Sequence, residues 1–160
     1  MKQEQGLKAT TNGAAFEKII EDYICGTLDV ESLKYDHNHL EEDYVLWKHA
    51  PYRSIYDTNC RSEFLLQLGS RKIRIECKYQ SVGGSVDEKL PYLMMNFTQQ
   101  VPEDETIIII DGAGWRPGAV KWLRDACEGT KCKVFSAVEF LFYVSQNLVD
   151  ADRQQKQAQG

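Results

Sequence analysis

The chain is predicted to be an α/β protein whose mixed sheet carries helices on both faces, and three observations predict it. Glu63–Leu68 is apolar and rich in β-favouring residues, Gly69-Ser70 is turn chemistry, and Lys72–Tyr79 alternates charged with apolar around Ile73 and Ile75, which together read as a hairpin. Thr106–Asp111 holds four consecutive isoleucines and reads as a buried strand. The remaining segments give the order helix, strands, helix, strand, helix, short strand, helix.

The first helix is expected from Asn12, a candidate N-cap, with Ala15, Phe16, Ile19, Ile20, Tyr23 and Ile24 as its apolar stripe and Cys25-Gly26 as its end. Residues 27–60 carry weak signals. Tyr44–Trp47 or Tyr52–Tyr56 is a candidate first strand, and His37-Asn38-His39 reads as a loop. After the hairpin, 81–85 is a Gly-rich loop, and Ser85 with Glu88 forms a capping-box pattern ahead of Leu90, Leu93, Met94 and Phe97. Pro91 falls in the first turn of that helix, where proline is tolerated. Residues 112–118 form a loop, a helix follows to Cys127, Lys133–Phe135 is a short strand, and Ala137–Val149 is the last helix.

With 160 residues, 42% hydrophobic and 27% charged, the chain is expected to form one domain over 13–149. A flexible N-terminus (1–12) and a disordered, Gln-rich tail (150–160) are expected to flank it. No apolar run approaches the roughly 20 residues of a membrane span, so no membrane partner is expected. The N-terminus lacks the apolar core of a secretory signal, so the five cysteines are expected as thiols in a reducing, cytoplasmic compartment. Cys127 and Cys132 have no second Cys or His pair nearby and read as partly buried thiols rather than zinc ligands.

A net charge of −5 argues against a protein that coats nucleic acid through bulk electrostatics, but not against an enzyme acting on it. Acidic residues gather between Asp29 and Asp43, whereas Arg61, Arg71, Lys72, Arg74 and Lys78 make the hairpin locally basic. The glycines at 112, 114 and 118 do not match the dinucleotide fingerprint and no Walker lysine follows them, so no organic cofactor is expected and a tight turn is the simpler reading. Trp115 can stack on nucleic acid or fill the core.

The chemistry lies in Glu76-Cys77-Lys78. Alternation sends Glu76 and Lys78 to the same face of their strand, a carboxylate beside an ammonium. A hairpin of suitable register brings Glu63 close to Glu76. Paired carboxylates repel unless a cation sits between them, and Mg²⁺ takes such hard oxygen donors while keeping positions for water and phosphate. An E-x-K on a strand is by itself far more often a solvated face than a site.

Arg61-Ser-Glu-Phe64 followed by Ile73-Arg-Ile-Glu-Cys-Lys-Tyr-Gln80 resembles the paired-strand motif of the PD-(D/E)xK nuclease superfamily, with Glu63 in place of the usual aspartate and Asp57 as its rival. Gly13-Ala-Ala-Phe-Glu17 is similar to the first helix of that family, where Glu17 rather than Glu21 would complete the metal site. The resemblance implies a restriction endonuclease-like three-layer core, a central mixed β-sheet flanked by helices. It further implies a DNA endonuclease using Mg²⁺, with Mn²⁺ able to substitute, acting as a homodimer. Glu63, Glu76 and Glu17 would hold the metal, Lys78 would serve the water, and Lys89 would contact DNA phosphate; by its position Gln80 either orients the site or closes the strand, and Arg116 is a candidate DNA contact. The alternative is a catalytically inactive protein of the same fold that binds DNA or a protein partner. His37, His39 and His49 read as loop or interface histidines.

Overall fold

The computed structural model describes residues 2–39 and 42–158, without the side chains of 2–11 and 151–155. Met1, Glu41 of the acidic stretch, and the last two residues of the tail lie outside the described residues. Six strands form one sheet in the order β1-β2-β3-β4-β5-β6: β1 (Glu31–Lys34), β2 (Tyr44–Arg53), β3 (Asn59–Leu68), β4 (Arg71–Tyr79), β5 (Glu105–Asp111) and β6 (Cys132–Phe135). The central pairs β2–β3 and β3–β4 are antiparallel, and β1–β2, β4–β5 and β5–β6 are parallel. A mixed sheet was expected, and the parallel pairs β4–β5 and β5–β6 are joined by helical crossovers.

On one face the sheet packs under α1 (Lys2–Leu28), α4 (Ala137–Tyr143) and α5 (Val149–Ala158), with Ile20, Ile24, Leu66, Ile73, Ile75 and Phe140 fully buried between them. On the other face α2 (Leu90–Met95), the π-helical turn Asn96–Gln100 that continues it, and α3 (Pro117–Cys127) cover Ile108 and Ile110 with Leu93, Phe97 and Leu123. Trp115 belongs to this second core, its indole N–H donating to Asp111 O at 2.8 Å, so it fills the core.

Several boundaries differ from expectation. α1 begins at Lys2, well before Asn12, because Lys, Gln, Glu, Leu and Ala in this stretch are good helix formers and no proline interrupts them. It also passes Gly26, since the buried Ile20, Ile24 and Leu28 outweigh the roughly 1 kcal/mol that a helical glycine costs. Asp29 then turns left-handed (φ 52°), and Val30 N–H returns to Cys25 O at 3.3 Å, closing the helix. The tail is helical to Ala158, and Lys156 donates to Leu28 O at 3.4 Å, tying it to the end of α1. Ser85 forms no capping box; 86–89 is instead a 3₁₀ turn ahead of α2, with Pro91 in its first turn as expected. A complete capping box does stand at Ser136 and Glu139, opening α4.

Candidate active site

The site forms where β3 and β4 part. Their ladder runs from Leu68↔Arg71 to Phe64↔Ile75 and stops there, and Glu63 and Glu76 are the next residue on each strand. The neighbouring β2–β3 ladder is also interrupted at this level, pairing Lys48 with Phe64 and Ala50 with Ser62 but not His49 with Glu63. His49 has a φ of 56°, a left-handed conformation that a non-glycine residue adopts only when its surroundings hold it there. Regular alternation would send successive residues to opposite faces. Here Lys48 and His49, and likewise Glu63 and Phe64, line one cleft of about 180 Å³ together with Glu17 of α1. The distortion therefore turns Glu63 toward the helix.

Glu17 and Glu63 face the same cleft and act on one another electrostatically. Burial first, and then the Glu63 charge, push the Glu17 carboxyl up to about 7, against the lowering pull of Lys78 and Lys48. Glu76 follows the ordinary alternation of β4, opposite Ile75 and Cys77 of the α1-side core and on the face of Arg74. It is 5% exposed, and burial pushes it up to about 7; Lys78 opposes this, and the Glu63 and Glu17 charges add to it. The Lys78 ammonium stands 3.7 Å from Glu76 Oε1 and is about one third exposed. The three carboxyls thus sense one another across the parted strands, with Lys78 acting on both Glu76 and Glu17. The strand pair supplies the meeting point, but Glu63 and Glu76 reach it by different backbone geometry rather than from one regular face.

The other candidates lie around this cluster. Asp57, the rival to Glu63, sits at the β2–β3 turn with a φ of 58°, paired with Arg53 at 2.8 Å, and is not among the groups acting on Glu76 or Glu17. Glu21 is buried and committed to Ser32 Oγ (2.7 Å) and Lys48 Nζ (3.4 Å). Gln80 is buried, and its amide donates to Gly114 O (2.8 Å) and Asp87 Oδ1 (3.2 Å), while its own oxygen has no partner. Arg116 faces Asp87 at 3.5 Å, and Lys89 is exposed in the 3₁₀ turn. Gln80 also bonds through its backbone, accepting from Gly114 N–H at 2.8 Å. A side chain at Gly112 (φ 99°) or Gly114 would meet the backbone of Gln80 or Val82 at 2.3 Å and 2.5 Å, so only glycine lets these two loops touch. The tight-turn reading of this glycine loop holds. Lys48 and His49 are the residues of the cleft that no strand pattern singles out, since their position depends on the interrupted ladder.

Among the described residues, no three His, Cys, Asp or Glu side chains stand close enough to cage a cation unaided. The donor set nevertheless suits a hard divalent ion, which uses one or two protein carboxylates and completes its shell with water. Two carboxyls raised to about 7 by burial and like charge are what such an ion would relieve. No curated protein and no solved structure matches the chain significantly. A family model described as the PD-(D/E)XK nuclease superfamily domain matches residues 8–147, from within α1 into the π-helical segment Val144–Leu148 that continues α4. That span contains all four residues of the cluster and the whole sheet, and the chain belongs to the PD-(D/E)XK nuclease superfamily.

Proposed function

We propose that the protein is a metal-dependent DNA endonuclease whose site is Glu17, Glu63, Glu76 and Lys78. The observation that carries this reading is the split between β3 and β4, where Glu63 and Glu76 follow the last ladder pair, Lys78 stands 3.7 Å from Glu76 and Glu17 shares a cleft with Glu63. Glu63 and Glu76, with Glu17, would hold Mg²⁺ or Mn²⁺. A bound divalent ion supplies Lewis acidity toward a phosphoryl oxygen and lowers the pKa of bound water. Lys78 is placed to orient the attacking water and to offset charge growing on the phosphate. Gln80 keeps the two flanking loops in position, and Lys89 and Arg116 are the proposed DNA contacts on that side.

Plasmid and oligonucleotide cleavage with Mg²⁺ or Mn²⁺ tests the reading. Wild type should cut, and Lys78→Ala and Glu76→Ala should each lose at least about 100-fold in rate, the scale of a lost acid–base or electrostatic group. Equal activity in these variants removes the assignment. A homodimer belongs to the same proposal, supported by the exposed Val138 and Phe142 on the outer side of α4; sedimentation equilibrium reads it directly.

One observation favours a second reading, a non-catalytic binding protein of the same fold: no ready three-donor cage exists among the described residues. Calorimetric titration with Mg²⁺ and Mn²⁺ separates the two. Binding that disappears in Glu63→Gln and Glu76→Gln supports the enzyme, and no binding by wild type supports the second reading.

A further inference from the structure

Beside the carboxyl cluster a second cleft opens over β1–β3. It holds about 140 Å³ and is lined by Lys34, Tyr35, His49, Pro51 and Arg61. His49, the residue whose backbone is left-handed, lines both clefts and so stands at the border between them. The second cleft has no carboxylate in its lining. Lys34 and Arg61 are exposed, and among the described residues neither forms an ion pair, although ten such pairs occur elsewhere. In a chain of net charge −5, two unpaired cations in one concavity beside three carboxyls reverse the local sign.

A carboxylate cluster repels the polyanion it is to act on, so nearby cations must hold the phosphates on either side of the reacting one. Two of the five lining residues are poorly suited to reading a base. Tyr35 is engaged edge-on with Trp47 at 5.8 Å, and Pro51 has no backbone N–H. Two exposed cations without ion-pair partners among the described residues suit phosphate, a contact that does not depend on sequence.

We infer that Lys34, His49 and Arg61 form a track for the sugar–phosphate backbone of a nucleic-acid strand that flanks the bond presented to Glu17, Glu63 and Glu76. This rests on the nuclease reading, and it places the strand's path on the β1–β3 side, opposite the loops that carry Lys89 and Arg116. Lys34 comes from the end of an edge strand, Arg61 from β3 ahead of Glu63, and His49 joins them at the interrupted ladder.

The test measures binding of short fluorescein-labelled oligonucleotides, single-stranded and duplex, to the full chain in EDTA over a range of salt. Lys34→Ala/Arg61→Ala should weaken binding about ten-fold at low salt and flatten the log-affinity against log-salt slope by roughly 1.4–1.8, the loss of two phosphate contacts. The loss should be the same for unrelated sequences. The single-stranded and duplex arms show which form the track holds. His49→Gly, which permits the left-handed backbone and removes the ring, should weaken oligonucleotide binding in the same assay. Lys72→Ala, an exposed cation at the far end of β4, is the control and should change neither slope nor affinity. The inference is overturned if the double variant binds like wild type, if Lys72→Ala loses as much, or if wild type binds no oligonucleotide. Wild type that cuts plasmid while the double variant binds normally sinks the track alone. Track-dependent binding without cleavage by wild type sinks the nuclease reading alone.

Discussion

Arg74 and Glu76 sit two positions apart on the same face of β4, and both are buried, at 2% and 5% exposure. Their surroundings differ sharply. Arg74 is saturated: Nε and Nη2 donate to the two oxygens of Glu103 at 2.8 Å and 2.9 Å, and Nη1 reaches Ala50 O and Ser62 Oγ at 2.9 Å and 3.0 Å. Its guanidinium also lies 5.3 Å from the centre of the Tyr52 ring. Glu76 has one ammonium at 3.7 Å and two further acids acting on it. A buried charge with full partners is part of the scaffold, and one left short of them is held ready for something that is not protein. Under the proposed function, the strand therefore changes from framework to site within two residues, at the point where its ladder with β3 ends.

The contrast is broken most severely from the Arg74 side. Arg74→Ala leaves Glu103 buried without its partner and should cost about 3–5 kcal/mol; urea denaturation at neutral pH measures it, and a loss below about 1 kcal/mol would mean the pair is not the anchor described.

Glu76→Gln should act in the opposite direction. The folded carboxyl is raised from 4.5 to about 7, so the native state binds the extra proton between those values and stability falls as pH rises through that window. The burden is absent below about pH 4.5 and complete above about pH 7, where it is on the order of 3 kcal/mol. Glu76→Gln should therefore stabilise the metal-free protein at pH 8 and leave it unchanged at pH 4. A variant that is equally stabilised at both values, or destabilised at pH 8, contradicts the assignment.

Removing the lone cation sharpens the comparison. Lys78→Met should move the Glu76 titration higher still, as followed by carboxyl ¹³C shifts, because Lys78 is the group that opposes the rise. A downward move would show that Lys78 does not act on Glu76.

The smallest effect should come from Glu17→Gln. Its carboxyl is raised in the same direction, but it is only partly buried and solvent screens it, so thermal melts at pH 8 should show a gain smaller than that of Glu76→Gln. A larger gain would place the more burdened acid on the helix.

Much of this was legible in the residues. Ile73, Ile75 and Cys77 alternate with Arg74, Glu76 and Lys78, and that pattern alone locates β4 and puts the acid and the lysine on one face. β1 was missed because Glu31-Ser-Leu-Lys34 is an edge strand with one large apolar residue, which gives no period to detect. β2 appeared as two fragments because Pro51 divides it. Its partner β1 ends at Lys34↔Lys48, so β2 is an edge from there on and tolerates the proline. The interruption at His49 left no trace in residue type, since histidine occurs in ordinary strands as well as at positive φ. For that reason Glu63 and Glu76 could be named from sequence, whereas the way Glu63 turns toward Glu17 could not.

The glycine contact between the loops after β4 and β5 bears on how such a site can diversify. At residues 80–82 and 112–114 main chain lies directly on main chain, so no side chain can be added at Gly112 or Gly114 without pushing the loops apart. Across the cluster, the rim at Lys48, His49 and Arg61 is built of side chains and can be retuned one codon at a time. One wall is a fixed gauge and the other an adjustable jaw, so variation among relatives with altered substrate preference should accumulate on the β1–β3 side.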